Sequence, residues 1–430
     1  MGIVSETAEM TNTASDEDLL ASSYRLGDPD FFLEPEFHQL LALLRRDHPV
    51  HWCQPWPDRG FWSITRHADI KAFFDQPLLF SSEPAGANIT PDLLAPEKLT
   101  AEERYEQGFG AIPSSIDPPR HDEVRAVFAR YFTGPAVAKL QDKCQRIVDD
   151  IVDAAIAKGE CDFVTDVAAP LPIRVISDMM GLPEQYWDEV LGYVNGLIAF
   201  NDPNTTIGST PEERWRNGKE GLFRLVRSLI AERRRQPQDD FITTATTANI
   251  KGKPLDERDI EWWCYSLIAA GFETSRNVIT SGMVALYEHP DQLRRLQENG
   301  RLIHSTMEEL LRWTTPVPCI LRVASRDTVF HGQKIREGDW VQAWMASGNR
   351  DEAVFDDPWT FDIARLPNPY LTFGHGVHNC VGRMLAILEA RTMIETILRR
   401  PEVMELTGPP KRSASMIAMG VSEMPVRFRA

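Results

Sequence analysis

The stretch that decides the fold is Phe373-Gly374-His375-Gly376-Val377-His378-Asn379-Cys380-Val381-Gly382, which leads directly into a helical run from Arg383 to Arg399. Gly374 and Gly376 allow a tight turn with positive φ and the close approach of a flat ligand, and Gly382 allows tight packing behind the sulfur. Because Cys380 stands where a helix opens, the helix macrodipole and the free amide groups favour its thiolate over its thiol. A thiolate held in this way is the ligand that a haem iron needs for cleavage of an O–O bond.

A zinc site is the competing interpretation of this loop, because His375, His378 and Cys380 place three possible ligands within six residues. A structural zinc ion takes four ligands, commonly supplied as two separated pairs, and the sequence holds no second pair. The other cysteines form no C-x-x-C pair, so we expect them to be core or surface thiols in a reducing compartment. They are Cys53, Cys144, Cys161, Cys264 and Cys319.

A second signal is Ala270-Gly271-Phe272-Glu273-Thr274, which lies inside a predicted helix over residues 256–289, about 50 Å long at 1.5 Å per residue. Residues 260–270 are apolar around most of the circumference, so the helix is predicted to run through the interior. An acid beside a threonine is unusual in such a helix. The structural interpretation is that Thr274 bonds back to the carbonyl four residues earlier and that Glu273 pairs with a neighbouring arginine.

Two further motifs place charged side chains on one face of a helix. In Glu309-Leu310-Leu311-Arg312 the acid and the arginine are three residues apart, and an exposed pair of this kind adds only a few tenths of a kcal/mol. In the segment from Asp117 to Arg125, His121 and Arg125 are four residues apart and share a face. Any one of these residues on its own is more often a solvated or core side chain.

Taken together and in their order along the chain, the segments resemble the motifs of the cytochrome P450 family. The loop matches F-G-x-G-x-H-x-C-x-G at every specified position, the central helix matches A/G-G-x-D/E-T, and Glu309 with Arg312 matches E-x-x-R. The resemblance runs from Val50 to Pro425, nearly the whole folded chain. It implies the cytochrome P450 fold: mainly α with a minor β region, in a single large domain that encloses haem between a long central helix and a cysteine-ligand loop.

The resemblance also implies a role for each matching residue. Cys380 is the thiolate ligand of the iron of haem b. Thr274 steadies the oxygen that is being activated, Glu273 helps to relay protons to it, and Ala270 and Gly271 leave space over the haem. Glu309, Arg312 and Arg365 form a buried structural cluster behind the cysteine loop. The other cofactor-binding residues, of which the cationic ones hold the propionates, are His121, Arg125, Arg322, Phe373, Gly374, His378 and Gly382.

The composition is that of an ordinary globular protein and excludes several other classes. Hydrophobic residues make up 43% and charged residues 25% of the 430 residues, without the Gly or Pro excess of fibrous or disordered chains. The net charge of −17 makes nucleic acid an unattractive partner. The N-terminus lacks the pattern of a signal peptide, and no apolar run approaches the roughly 20 residues of a membrane span. We therefore expect a cytoplasmic monomer without a membrane anchor, in which residues 1–20 are a disordered acidic tail and residues 21–430 are one P450 domain.

Periodicity predicts the elements of this domain. Apolar spacings of three and four residues predict helices over 36–46, 120–131, 135–158, 172–180, 211–235, 256–289, 290–299 and 301–314, besides 383–399. Short strands are predicted over 50–52, 60–64, 322–323, 328–330 and 339–346. The weakly periodic segments 81–116 and 192–212 are predicted to be long functional loops.

The function implied is that of a haem-thiolate monooxygenase, which inserts one oxygen atom from O2 into an unactivated C–H bond. A ferredoxin with its NAD(P)H-dependent reductase is the implied electron source, docking on a basic patch for which the candidates are Arg120, Arg130, Arg383 and Arg391. The substrate is expected to be small and hydrophobic, with a terpenoid or other alicyclic compound favoured over a steroid side chain, an alkane or a fatty acid. Two alternatives stay open: a peroxide-driven haem-thiolate enzyme, which would not need Glu273 and Thr274, and a non-catalytic haem-binding sensor.

Overall fold

The computed structural model describes residues 15–89, 99–106, 108–198, 200 and 205–429. The chain forms two compact units, each assembled from separated segments. Of the described residues, those within 1–98, 281–380 and 412–420 form the first unit, and those within 99–280, 381–411 and 421–430 form the second. Neither unit is a continuous stretch of sequence, so no single point divides the chain into two consecutive domains.

The α-helix is the predominant regular element among the described residues. They are α1 (Asp16–Ala21), α2 (Pro35–Asp47), α3 (His67–Phe74), α4 (Ala101–Glu106), α5 (Arg120–Phe128), α6 (Gly134–Ala138), α7 (Gln141–Lys158), α8 (Pro170–Met180), α9 (Trp187–Ile198), α10 (Pro211–Arg235), α11 (Phe241–Thr247), α12 (Glu257–Glu288), α13 (Pro290–Glu298), α14 (Ile303–Thr314), α15 (Met345–Gly348) and α16 (Arg383–Arg399). None of these helices combines the length and the apolarity that crossing a bilayer requires.

The sequence sets several of these bounds through capping. At the start of α10 the Thr210 side chain accepts a hydrogen bond from the backbone N–H of Glu213, and Pro211 occupies the first helical position. Three arginines, Arg233–Arg235, occupy its last turn, where they interact favourably with the helix dipole. These signals explain why the predicted helix 211–235 is confirmed at both ends.

The strands form one larger sheet and several small ones. They are β1 (Val50–Trp56), β2 (Arg59–Ile64), β3 (Phe80–Ser81), β4 (Glu160–Asp162), β5 (Asn249–Ile250), β6 (Lys253–Pro254), β7 (Ile320–Ala324), β8 (Thr328–Phe330), β9 (Gln333–Ile335), β10 (Trp340–Ala343), β11 (Val403–Leu406), β12 (Lys411–Ala414), β13 (Met419–Glu423) and β14 (Pro425–Arg429). The prediction of a mainly α chain with a minor β region is confirmed.

A five-stranded sheet organises the first unit, in the order β1-β2-β10-β7-β3. Strand β10 runs parallel to β2, with Trp340 opposite Phe61, and antiparallel to β7, with Trp340 opposite Val323. Side chains of this sheet and of α3 share one buried core, which also includes Leu371. Because Leu371 lies just before the cysteine loop, the sheet fixes the point from which the loop departs.

Packed helices dominate the second unit, in which α9 lies against α10 and α16 lies against α7. Glycines of α10 allow α9 and α10 to pack closely. A Cβ at Gly221 would lie 2.1 Å from the ring of Tyr193, and one at Gly218 would lie 2.6 Å from the Tyr193 carbonyl oxygen. Strand β14 pairs with both β11 and β4 in a separate three-stranded sheet.

Several predicted elements differ from the observed ones. The acidic tail was expected to reach residue 20, whereas α1 begins at Asp16, because Ser15 caps the helix and Leu19 is buried; residues 1–14 lie outside the described residues. The predicted loop 192–212 begins inside α9, and residues 199 and 201–204 lie outside the description. The predicted loop 81–116 contains strand β3 at its start and helix α4, with residues 90–98 and 107 outside the description. The predicted helix 135–158 is interrupted between Ala138 and Gln141.

Candidate functional site

The backbone of the cysteine loop is folded tightly by its glycines. Gly374 and Gly376 have φ values of +71° and +70°, the left-handed region predicted for them. A Cβ on Gly376 would lie 2.8 Å from the carbonyl oxygen of Phe74, so a larger residue would strain this turn. The loop closes on itself where the backbone N–H of Cys380 donates to the Phe373 carbonyl at 2.9 Å.

Cys380 differs from the other cysteines in its surroundings. It is exposed, whereas Cys161 is half-buried and the others are buried. Burial raises the pKa of the thiols of Cys53, Cys144 and Cys319 to about 12, raises that of Cys161 to about 11, and also raises the pKa of Cys264. Burial therefore disfavours the thiolate at these five positions, whereas the exposed Cys380 side chain is accessible to a ligand. The chemistry of the donor set thus points to Cys380 as the cysteine that fits a haem iron.

The two histidines of the loop turn to different partners. The His375 Nε2 atom lies 3.2 Å from an Asp75 carboxylate oxygen, and the His378 Nε2 atom lies 3.5 Å from the Ser82 hydroxyl. Across the described part of the chain no group of three His, Cys, Asp or Glu side chains is placed to hold a metal ion. The geometry gives no support to a zinc site in this loop.

Glu309 and Arg312 form a fully buried ion pair on α14, as the resemblance implied. The guanidinium donates twice to the carboxylate, at 2.8 and 2.7 Å. Arg365 donates to the same carboxylate at 3.3 Å, Asn368 at 3.1 Å, and the backbone N–H of Asp362 at 3.0 Å. The two arginines also bind the backbone carbonyls of residues 349, 356, 357, 358 and 360. The cluster therefore fixes the irregular chain that precedes the cysteine loop.

Hydrogen bonds connect this helix to the loop itself. Asn349 accepts from the backbone N–H of Leu371 at 2.7 Å and donates to Thr372 at 3.0 Å. Thr372 in turn donates to the carbonyl of Leu311 on α14 at 2.6 Å. The residues directly before Phe373 are thus anchored to the helix that carries Glu309, which is how the cluster can hold the loop in place.

Helix α12 carries the acid–threonine pair, and it extends to within one residue of both predicted ends. Thr274 donates to the carbonyl of Ala270 at 2.9 Å, and Glu273 pairs with Arg276. Both parts of the structural interpretation are confirmed. Leu267, Ala270, Gly271 and Thr274 are solvent-accessible, whereas most of the helix around them is buried. They follow the i, i+3, i+4, i+7 spacing, so they form one accessible stripe that includes Thr274.

The predicted propionate donors fall into both units. His121 and Arg125 lie on α5 of the second unit, where His121 is buried and its Nδ1 atom is 2.9 Å from the Asp122 carboxylate. Arg322 lies on β7 of the first unit, where it is buried and donates to the Leu321 carbonyl at 2.8 Å. His378 belongs to the cysteine loop of the same unit. Arginine and histidine are side-chain types that bind carboxylates such as the haem propionates. That these four side chains bind haem propionates stays a prediction.

The last two loop residues assigned to the cofactor have ordinary local roles in the structure. Phe373 provides the carbonyl that closes the loop, and its ring centroid lies 6.1 Å from that of Tyr370. Gly382 caps α16 with φ −80°, so its conformation does not require glycine.

Glu389 is a buried acid that belongs to none of the sequence motifs. Glu389 on α16 is buried, and burial raises its pKa to about 8, opposed by a hydrogen bond with Ser275, the residue after Thr274. The sequence carried a signal for it, because Glu389 falls in the apolar stripe formed by Leu385, Leu388, Thr392 and Met393. An acid in such a stripe is rare unless it has a partner or stays neutral.

Comparison with known proteins places this arrangement among relatives of similar length. The family model for cytochrome P450 matches residues 98–428. The methyl-branched lipid omega-hydroxylase of Mycobacterium tuberculosis is 31% identical, with 100% of each chain covered. Linalool 8-monooxygenase of Pseudomonas putida is also 31% identical, over 93% of this chain and 98% of that one. Among solved structures, a Mycobacterium marinum cytochrome P450 in complex with pseudoionone has a TM-score of 0.83 and 31% identity, covering 98% of this chain and 99% of that one.

Proposed function

This chain belongs to the cytochrome P450 family and is a haem-thiolate monooxygenase, and from that premise we propose that it hydroxylates an unactivated C–H bond of a small hydrophobic substrate, with a terpenoid or other alicyclic compound favoured. The overall reaction takes O2, two electrons and two protons. One oxygen atom leaves as the hydroxyl group of the product and the other leaves as water.

Three joined segments of the first unit that carry apolar side chains are the observation that supports the proposed substrate class. Backbone hydrogen bonds join three segments that are distant in sequence: Leu321 N–H donates to the Ala87 carbonyl, and Met419 N–H donates to the Pro316 carbonyl, each at 2.8 Å. These segments carry the apolar side chains of Ile89, Val317, Ile320, Met416 and Ala418, of which Val317 and Ile320 pack against the core of the first unit. Sites for hydrophobic ligands are lined mostly by apolar side chains, and we propose that these segments line the substrate site.

The compounds named with the relatives favour a terpenoid as the substrate. Linalool and pseudoionone are isoprenoid compounds, and the mycobacterial hydroxylase is named for methyl-branched lipids. These compounds share a branched hydrocarbon chain, which apolar side chains around a substrate would bind. A steroid side chain, an alkane or a fatty acid is the alternative substrate.

Binding titrations test the substrate class directly. We expect terpenoid alcohols and ketones to shift the spin state of the haem, seen in its absorbance, at micromolar concentrations. Dicarboxylic acids of equal length are the matched control and should produce no shift. A shift caused by the dicarboxylates and not by the terpenoids would contradict the proposal.

Haem b, when bound, supplies the iron at which dioxygen is activated, and the protein supplies orientation and the electrostatic environment. Cys380 provides the thiolate ligand. We assign Arg322 and His378, together with His121 and Arg125, to the propionate groups. We assign the Thr274 hydroxyl to hold a proton donor near the reacting oxygen, and Glu273 to deliver protons through it. Ala270 and Gly271 are small residues, so they leave space along the accessible stripe of α12.

Thr274→Ala should uncouple electron use from product formation, because the hydroxyl that holds the proton donor is removed. We expect the fraction of NAD(P)H recovered as product to fall about tenfold, with hydrogen peroxide accounting for the difference. Thr274→Ser should keep most of the coupling. Thr280→Ala is the matched control, since Thr280 makes the same bond to the carbonyl four residues earlier on the same helix. Full coupling in Thr274→Ala would defeat this assignment.

The electron donor proposed is an acidic ferredoxin with its NAD(P)H-dependent reductase. Of the candidate arginines, Arg120 is bound to Asp259 at 2.6 Å, Arg130 to Thr244 at 2.7 Å and Arg391 to Gln141 at 2.8 Å. Arg383 is exposed at the start of α16, beside the exposed Met384. Its exposure at the start of the helix that follows the cysteine loop makes Arg383 the first arginine to test.

Arg383→Glu should slow reduction by the ferredoxin about tenfold at low salt, and the difference should shrink as ionic strength rises. Stopped-flow reduction of the haem measures this rate. Arg399→Glu, at the opposite end of the same helix, is the control and should reduce at the wild-type rate. Equal rates for Arg383→Glu and the wild type would remove Arg383 from the docking patch.

Two other functions predict different outcomes. A peroxide-driven enzyme would not need the acid–threonine pair, and this chain has both Glu273 and Thr274, which favours the O2-dependent route. A haem-binding sensor should show no oxidation of NAD(P)H linked to substrate. We place the reaction in the cytoplasm, where the six free cysteines would stay reduced.

A further inference from the structure

Two buried polar side chains contact the acid of the acid–threonine pair. Glu273, Arg276 and Asn277 are all buried on α12. A single carboxylate oxygen of Glu273, Oε1, accepts from the Arg276 guanidinium and, at 3.1 Å, from the Asn277 amide. The acid precedes the arginine by three residues, the order that favours pairing on a helix.

The Arg276 guanidinium supplies the counter-charge for this buried acid. A charged carboxylate in an apolar interior needs such a partner, because burial without one costs free energy. The guanidinium compensates the charge and also fixes the direction of the side chain. Because the guanidinium fixes where this side chain points, the strength of the Arg276 contact sets how readily Glu273 can swing toward a proton donor or acceptor.

A second contact extends this network to another helix. The Nη1 atom of Arg276 donates to Oδ1 of Asn195 on α9 at 3.3 Å. Helix α9 packs closely on α10, through the glycines that admit Tyr193. Any displacement of α9 relative to α12 must therefore change the second hydrogen bond of the same guanidinium that holds Glu273.

We propose that Arg276 is a positioning residue that holds Glu273 and, through Asn195, makes the availability of this acid depend on the position of helix α9. While α9 lies against α12, Asn195 accepts from Nη1 of Arg276 and Glu273 accepts from Nη2. When α9 moves away, Arg276 loses its second acceptor and its hold on Glu273 changes. The proposal rests on the relay role proposed above for Glu273, and it adds the residues that regulate that role.

Hydrogen exchange of the haem-loaded protein tests the mechanical part without any turnover. Asn195→Ala and Arg276→Leu should each speed exchange of the α9 amides near Asn195 about tenfold, the effect of losing a hydrogen bond to a charged group. The double variant should exchange no faster than either single variant, since both remove the same contact. Arg224→Leu, an exposed arginine on the neighbouring α10, is the control and should leave α9 exchange unchanged. Unchanged exchange in both variants, or additive effects, would overturn the contact between the helices.

Coupling efficiency tests the link to catalysis. Arg276→Leu and Asn195→Ala should both change the ratio of product to peroxide, and Arg276→Lys, which keeps the charge, should restore part of the wild-type ratio. If Glu273→Gln uncouples the reaction while neither the arginine nor the asparagine variant does, the positioning role is wrong and the relay stands. If Glu273→Gln itself leaves coupling intact, the relay is wrong, and a normal ratio in the other variants then overturns the catalytic part of the proposal as well.

Discussion

Glu309→Gln should destabilise the folded protein by about 3–5 kcal/mol, the usual cost of removing one partner from a buried ion pair. The carboxylate accepts hydrogen bonds from Arg312, Arg365 and Asn368, so its loss leaves two guanidiniums in the interior without their counter-charge. Because the same helix anchors Thr372, we also expect the cysteine loop to loosen and the haem to be lost more readily. Chemical denaturation followed by circular dichroism measures the free energy of unfolding, and haem absorbance follows retention of the cofactor.

Glu308→Gln is the matched control, because Glu308 is the neighbouring half-buried acid on α14. Its free energy of unfolding should stay within about 0.5 kcal/mol of the wild type. A Glu309→Gln variant as stable as this control would show that the buried cluster does not hold the fold together.

Cys380→Ser should abolish thiolate ligation of the haem and, with it, monooxygenase activity. We expect none of the other cysteines to replace it, because they lie outside the cysteine loop and burial disfavours their thiolates. The reduced protein with carbon monoxide should lose the long-wavelength Soret band that marks a thiolate ligand and should absorb at shorter wavelength instead. Cys161→Ser, which changes the half-buried cysteine, should keep the band at its wild-type position. Retention of the thiolate band in Cys380→Ser would show that another residue ligates the iron.

Much of the site follows from local sequence. The cysteine loop could be predicted because its glycines adopt positive φ, a requirement that few other residues meet. The ends of α12 could be predicted because a continuous apolar pattern stops at Pro290. Even the burial of Glu309 followed from the order of the motifs, although spacing alone would have indicated an exposed pair.

The failures share a physical cause, which is contact between residues far apart in sequence. Helix α9 was predicted as part of a loop because Gly192, Asn195 and Gly196 weaken its helical pattern, whereas in the structure it is stabilised by packing on α10. The short C-terminal strands were not predicted, since β14 depends on pairing with β4, more than 250 residues earlier. Arg120, one of the four candidates for the docking patch, binds Asp259, which is 139 residues away along the chain, and the sequence did not indicate this contact.

The central claim is that this chain inserts one atom of dioxygen into a hydrophobic substrate. The most direct test is turnover of a terpenoid that shifts the haem spin state, with ferredoxin, reductase, NAD(P)H and isotopically labelled dioxygen, followed by mass spectrometry of the product. The account predicts a hydroxylated product carrying one labelled oxygen atom, formed in proportion to the NAD(P)H consumed. A product whose oxygen comes from water, or product formed with peroxide but never with dioxygen and NAD(P)H, would contradict it.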